Sequence, residues 1–110
     1  MVLRHDQNAL PETVVDELLA EPRRRLLLGV LYDRGERMSV ADLGRELAVA
    51  GTDPTPDGRR EMRRAIREDD LPKLLATDVV RYDSTLDAVS LSGAARQFED
   101  RLTELARELR

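Results

Sequence analysis

The chain has no cysteine and no tryptophan, and only one histidine, one lysine and one isoleucine among 110 residues. Without cysteine there can be no disulfide framework and no thiolate metal site, which fits a cytoplasmic setting. The single histidine, His5, lies in the first few residues, so no histidine pair is available for a metal and no His-based pair for a nucleophile. A glycine-rich phosphate-cradling loop is also missing. These absences argue against an enzyme and predict no metal and no cofactor. No run of about 18 apolar residues occurs, so no membrane partner is expected. Met1–Gln7 carries Arg4 and Asp6 where a secretory leader would be apolar. Aromatics are limited to Tyr32, Tyr82 and Phe98, so any core must be aliphatic. The length suits a single domain.

What is present is charge. Asp and Glu total 22 against 18 basic residues, and Lys73 is the only lysine, giving a net charge of −4. An acid-rich, nearly lysine-free chain with small apolar residues is typical of halophilic archaea; GC-rich coding in a non-halophile would give a similar bias towards arginine. A negative total opposes non-specific nucleic-acid binding, so any such contact must use a local patch.

That patch is easy to find. Arg59, Arg60, Arg63, Arg64 and Arg67 fall within nine residues. At helical spacing they form one stripe of roughly 140°, with Met62, Ala65 and Ile66 behind it. Arg59/Arg63, Arg60/Arg64 and Arg63/Arg67 are like-charge i,i+4 pairs, each costing about a few tenths of a kcal/mol. Glu61 and Glu68 relieve only part of this, for instance through Arg64 and Glu68. A clustered basic face is an electrostatic footprint for an anion; a solvated charged face is the simpler reading.

The residues that follow, Asp70-Leu71-Pro72-Lys73-Leu74-Leu75-Ala76-Thr77-Asp78-Val79-Val80, resemble the end of the recognition helix in winged-helix regulators. There a His-Leu-x-x-Leu pattern runs into Gly-Leu-Val ahead of the wing. The Leu-Pro-Lys-Leu version is most similar to the small winged-helix domains abundant in haloarchaea, many without an assigned function. Asp70 replaces the usual His and Asp78 the usual Gly; aspartate tolerates the left-handed conformation such a helix end needs. The resemblance extends more weakly over about Leu18 to Leu91. It implies a winged helix-turn-helix fold and DNA binding.

Taken in order, residues 1–10 read as a flexible tail. Pro11-Glu12-Thr13 opens a helix with Val14, Val15, Leu18 and Leu19 on one face. Pro22 starts a second helix to about Arg34, with Gly35 as its stop and Leu26, Leu27, Leu28, Val30 and Leu31 on its buried side. Arg23-Arg24-Arg25 at its start opposes the helix dipole; the resembling haloarchaeal domains carry a similar basic run, which implies a structural or phosphate-binding role, a solvated first turn being the simpler reading. Ser39-Val40-Ala41-Asp42 approximates a capping box for a helix to about Ala50 that buries Val40, Leu43 and Leu47. Thr52-Asp53-Pro54-Thr55-Pro56 forms a rigid turn in which Thr55 caps the arginine helix. Because Leu71, Leu74 and Leu75 fall on the arginine side of the wheel, one straight helix cannot bury both apolar sets. A bend at Pro72, between Asp69 and Leu74, is expected.

Val79–Tyr82 and Ala88–Leu91 alternate as the two strands of a hairpin whose tip, Asp83–Asp87, is acidic. Ser92 caps a final helix over residues 93–110. Its Ala95, Phe98, Leu102, Leu105 and Leu109 are spaced as a heptad seam, which predicts a homodimer interface; packing on the chain's own domain is the alternative. The resulting reading is a mainly α fold with a small β-hairpin wing, the winged-helix domain spanning 11–92 with extra N- and C-terminal helices. The expected function is a dimeric DNA-binding transcriptional regulator. Arg59, Arg60, Arg63, Arg64, Arg67 and Lys73 would contact double-stranded DNA in the major groove. The alternative is a winged-helix module that binds a protein partner instead of DNA.

Overall fold

The computed structural model describes residues 10–51 and 53–109; the tail expected over 1–10, His5 and Thr52 of the turn fall wholly or mostly outside them. Helix α1, Glu12–Ala20, follows Pro11 and buries Val15, Leu18 and Leu19. It stops at Glu21, which is extended at φ −82°, ψ 119°, as the residue before a proline must be. Pro22 begins α2, Pro22–Arg34, and Gly35 ends it at φ 71° with its N–H on the Leu31 carbonyl. A left-handed glycine closing the last turn is a frequent helix stop. Leu27, Leu28, Val30 and Leu31 of α2 are buried, whereas Leu26 is half-buried.

Ser39 has two roles. It ends a two-residue strand, β1 (Met38–Ser39), and its Oγ accepts the Asp42 N–H at 3.0 Å, capping α3, Val40–Ala50. The Asp42 carboxylate accepts from Arg45. Leu43 and Leu47 of α3 are fully buried, each worth about 2 kcal/mol of apolar transfer. Thr55 caps α4, Pro56–Ala65, accepting from Gly58 N–H at 3.0 Å.

The expected bend takes a different form. Ile66–Asp70 is a π-helical turn, with the Leu71 N–H on the Ile66 carbonyl, leading into α5, Leu71–Ala76. A π turn holds one residue more than an α turn. That extra residue advances the wheel, so Leu71 and Leu74 join Ala65 and Ile66 on the buried side. Pro72 sits in the first turn of α5, where its missing N–H costs least. Asp78, at φ 60°, makes the left-handed turn out of α5.

Strands β2 (Val80–Asp83) and β3 (Ala88–Leu91) pair antiparallel with Val80 opposite Leu91 and Tyr82 opposite Val89. β1 adds to the far side of β3, Met38 opposite Val89, so the sheet order is β1-β3-β2. The sheet therefore has three strands where the sequence suggested two. The last segment starts as a 3-10 helix, Gly93–Phe98, capped by Ser92, and continues as α6, Glu99–Glu108. One apolar core joins α1, α2, α3, the π turn, α5, the sheet and α6. The architecture is mainly helical with a small three-stranded antiparallel sheet. Among the described residues, no helix is long and apolar enough to cross a membrane.

Candidate nucleic-acid interface

The arginine face is built by how α4 crosses α3. A Cβ on Gly44 would come 2.6 Å from Cγ of Arg63, and 3.5 Å from the Arg59 carbonyl oxygen and the Arg63 nitrogen. The bare backbone of α3 at Gly44 thus lets α4 approach closely, with the stem of Arg63 lying across it. Long cationic side chains commonly bury their stems and keep the head in water. At the start of α4, a Cβ on Gly58 would meet the Asp53 carbonyl oxygen at 2.3 Å. Asp53 Oδ1 in turn accepts from the Thr55 hydroxyl at 2.6 Å, so Gly58 is what allows the loop to fold against the helix.

Most of the stripe is already paired. Arg59 Nε donates to the Pro54 carbonyl at 3.0 Å. Arg60 meets Asp57 at 2.9 Å. Arg64 donates to Glu61 through Nε and Nη2 and reaches Glu68 at 3.4 Å. Arg67 forms a fork on Asp87, Nη1 to Oδ1 at 2.9 Å and Nη2 to Oδ2 at 2.6 Å. Asp87 Oδ1 also accepts from the Tyr82 hydroxyl at 2.5 Å. Of the six candidate contacts, Arg59, Arg63 and Lys73 have no ion-pair partner among the described residues, and Arg59 and Arg63 are half-buried. Over Pro56–Asp70 the five arginines are matched by Asp57, Glu61, Glu68, Asp69 and Asp70, so the segment carries no net charge.

The electrostatics follow from these contacts. The Arg67 fork, then the Tyr82 hydroxyl, hold the Asp87 carboxyl below the usual aspartate range. Arg64 does the same for Glu61. The Tyr82 phenol, donating to Asp87, is pushed up, because its ionisation would put two anions together. Arg64 and Arg67 are raised mainly by hydrogen bonds to Glu61 and Asp87 respectively.

Beneath the face sits a pair that the sequence reading missed. Asp70 is fully buried and accepts Arg23 Nε at 2.6 Å and Nη2 at 3.1 Å. This joins the start of α2 to the π turn. Arg23 is raised, first by its hydrogen bond to Asp70. Arg24, also buried, donates to the carbonyls of Leu18 at 2.8 Å and Glu17 at 3.0 Å, closing the end of α1. Only Arg25 of that run is exposed. The run is thus structural at Arg23 and Arg24.

The heptad seam is also occupied within the chain. Ala95, Phe98 and Leu102 are buried in the chain's own core, and Leu105 and Leu109 pack partly buried against it. Gly29 of α2 supplies the close approach, since a Cβ there would lie 3.3 Å from Leu105 Cβ. Ala95 and Phe98 belong to the 3-10 segment, where residues three apart stack directly. Their spacing is therefore not that of a coiled-coil helix. Among the described residues no cluster of acidic or histidine side chains could hold a metal.

What these features define is a mainly helical domain presenting a partly exposed and largely internally bonded arginine face beside a small sheet. Residues 16–90 match the family described as Domain of unknown function (DUF7344), and the chain belongs to that family. No curated protein and no solved structure matches it. The matched span ends at Ser90, so α6 lies beyond it.

Proposed function

We propose that the chain is a winged helix-turn-helix DNA-binding protein acting as a transcriptional regulator in a cell of high internal salt. The observation that carries this is the order of elements. Helix α2, strand β1, helices α3 and α4, and the hairpin β2–β3 follow one another as in a winged helix, with sheet order β1-β3-β2. In that arrangement α4 is the recognition helix, and its exposed Arg60 and Arg64, with Arg67 of the π turn, would face a major groove. Arg63 and Lys73 are ready phosphate or base contacts. Arg60, Arg64 and Arg67 are recruited by exchanging a carboxylate for DNA. Exposed ion pairs of this kind hold by about 1 kcal/mol or less, whereas a bidentate arginine contact to guanine discriminates by about 1–3 kcal/mol. The exchange is therefore favourable at a matching sequence.

Two copies on successive turns of a two-fold site are part of the proposal. Their contact would use surfaces other than Ala95, Phe98 and Leu102, which serve the core. A second reading, a protein-binding module, is favoured by the acidic partners already on Arg60, Arg64 and Arg67. Selection from fragmented genomic DNA in molar KCl, followed by sequencing, separates the two. A recurrent motif lost in Arg63→Glu/Arg67→Glu supports the regulator. Retention of nothing by a folded protein would rule it out in favour of a protein partner.

A further inference from the structure

Resting on the DNA-binding reading, we infer that Asp87, seconded by Glu61, is a specificity determinant: its carboxylate holds Arg67 in the place a phosphate would take. The geometry supports this in three ways. The Arg67–Asp87 fork is bidentate, at 2.9 and 2.6 Å, the same planar match guanidinium makes with phosphate. It spans two elements, since Arg67 lies in the π turn and Asp87 at the hairpin tip, 20 residues on. And the tip is held in register. Asp87 takes φ 51°, its carbonyl accepts from Val40 N–H at 2.9 Å, and Tyr82 donates to its carboxylate. The wing thus presents an anion, at a fixed position, to the π turn that follows the recognition helix.

The consequence is an exchange, not a simple addition. An unpaired arginine that meets a DNA phosphate releases about 0.9 of a condensed cation. When Arg67 leaves Asp87 for a phosphate, the freed carboxylate lies beside the DNA and draws a cation back. Net ion release for that contact falls towards zero, and with it the drive to bind any phosphate regardless of sequence. Only a duplex that gives Arg67 and Arg64 more than a phosphate, such as a guanine edge, opens the clasp. The same exchange makes binding less sensitive to salt.

The test measures anisotropy of a labelled random-sequence duplex of about two helical turns, and of duplexes enriched by the genomic selection, across a salt series. Asp87→Asn is the variant, because asparagine also accepts a positive φ and the wing keeps its fold. Asp87→Asn is expected to bind the random duplex roughly threefold to fivefold tighter at low salt, the scale of one exposed charge pair. Its slope of log affinity against log salt should steepen by up to about one. Glu61→Gln should act in the same direction through Arg64, and Tyr82→Phe, which leaves the fork intact, should leave the slope unchanged. Wild-type binding to enriched DNA with no change in affinity or slope in either carboxylate variant would overturn the inference while the DNA-binding reading stands. No binding of any duplex by wild type or variants would overturn both.

Discussion

Replacing Arg23 by methionine tests whether the buried Asp70 carboxylate depends on one partner. Asp70 has no exposed surface, and its two oxygens take Arg23 Nε at 2.6 Å and Nη2 at 3.1 Å. Breaking a buried pair by removing one side typically costs about 3–5 kcal/mol. A quarter of the Arg23 side chain is exposed, so water can reach the vacated fork, which argues for the lower end, about 3 kcal/mol. For a domain this size that is about 10–15 °C in Tm. Asp69, 3.8 Å from Arg23 and mostly exposed, adds little. The double variant Arg23→Met/Asp70→Leu removes both charges and should recover most of the loss, because a buried pair exchanged for apolar groups is often close to neutral. The cycle is read by urea unfolding with far-UV circular dichroism, at low and molar KCl, checking that the m-value stays constant. The Debye length at 1 M is only about 3 Å, but salt ions do not reach a fully buried carboxylate, so the coupling should persist there. A loss below about 1 kcal/mol in Arg23→Met, or a double variant as unstable as the single, would refute the reasoning.

Leu102→Asp distinguishes core from seam: the leucine is 1% exposed within one chain, so the variant should lose its folded circular dichroism signal outright. A folded monomer would instead mean that the residue serves a dimer. Gly58→Ala should cost about 1–2 kcal/mol from the clash with the Asp53 carbonyl, although alanine would ordinarily gain about 1 kcal/mol in a helix; chemical denaturation decides the sign. In a Tyr32→Phe background, ultraviolet titration should find the Tyr82 phenol ionising above the ordinary tyrosine range, and Asp87→Asn should bring it down. The raised Tyr82 contributes stability that is full below the ordinary tyrosine pKa and is lost as pH rises through its folded value. The depressed Asp87 contributes stability that is full above the ordinary aspartate pKa and is lost as pH falls through its lower folded value. A titration curve unaffected by Asp87→Asn would show that the clasp does not form in solution.

The helix starts were legible because their signals act over three or four residues. Pro22, Ser39, Thr55 and Ser92 sit where the structure begins α2, α3, α4 and the 3-10 segment, Gly35 stops α2 as expected, and Asp78 takes the left-handed turn expected of it. Other features have no such signature. β1 is two residues long, too short to show alternation, and exists because β3 offers it an edge. The π turn cannot appear on a wheel drawn at a fixed angle. The conflict between the Met62–Ile66 and Leu71–Leu75 faces requires a break in the helix, and Pro72 is its local signal, yet the change of phase lies just before the proline.

The candidate site divides along the same line. Five arginines on one stripe could be read from spacing, and so in part could the relief from Glu61 and Glu68, three and four residues from Arg64. The fork on Asp87 crosses 20 residues and the Arg23–Asp70 pair crosses 47, distances over which no local pattern carries information. Both are made by the fold, and both change what the stripe means. Asp70 fixes the turn that aims Arg67, while Asp87 occupies it. Sequence therefore located the charge, but whether that charge is available to DNA depends on which carboxylates the fold brings back to it. On the DNA-binding proposal this is a physical advantage at high salt: long-range attraction is screened away, and discrimination comes from the short-range contest between carboxylate and DNA for the same guanidinium.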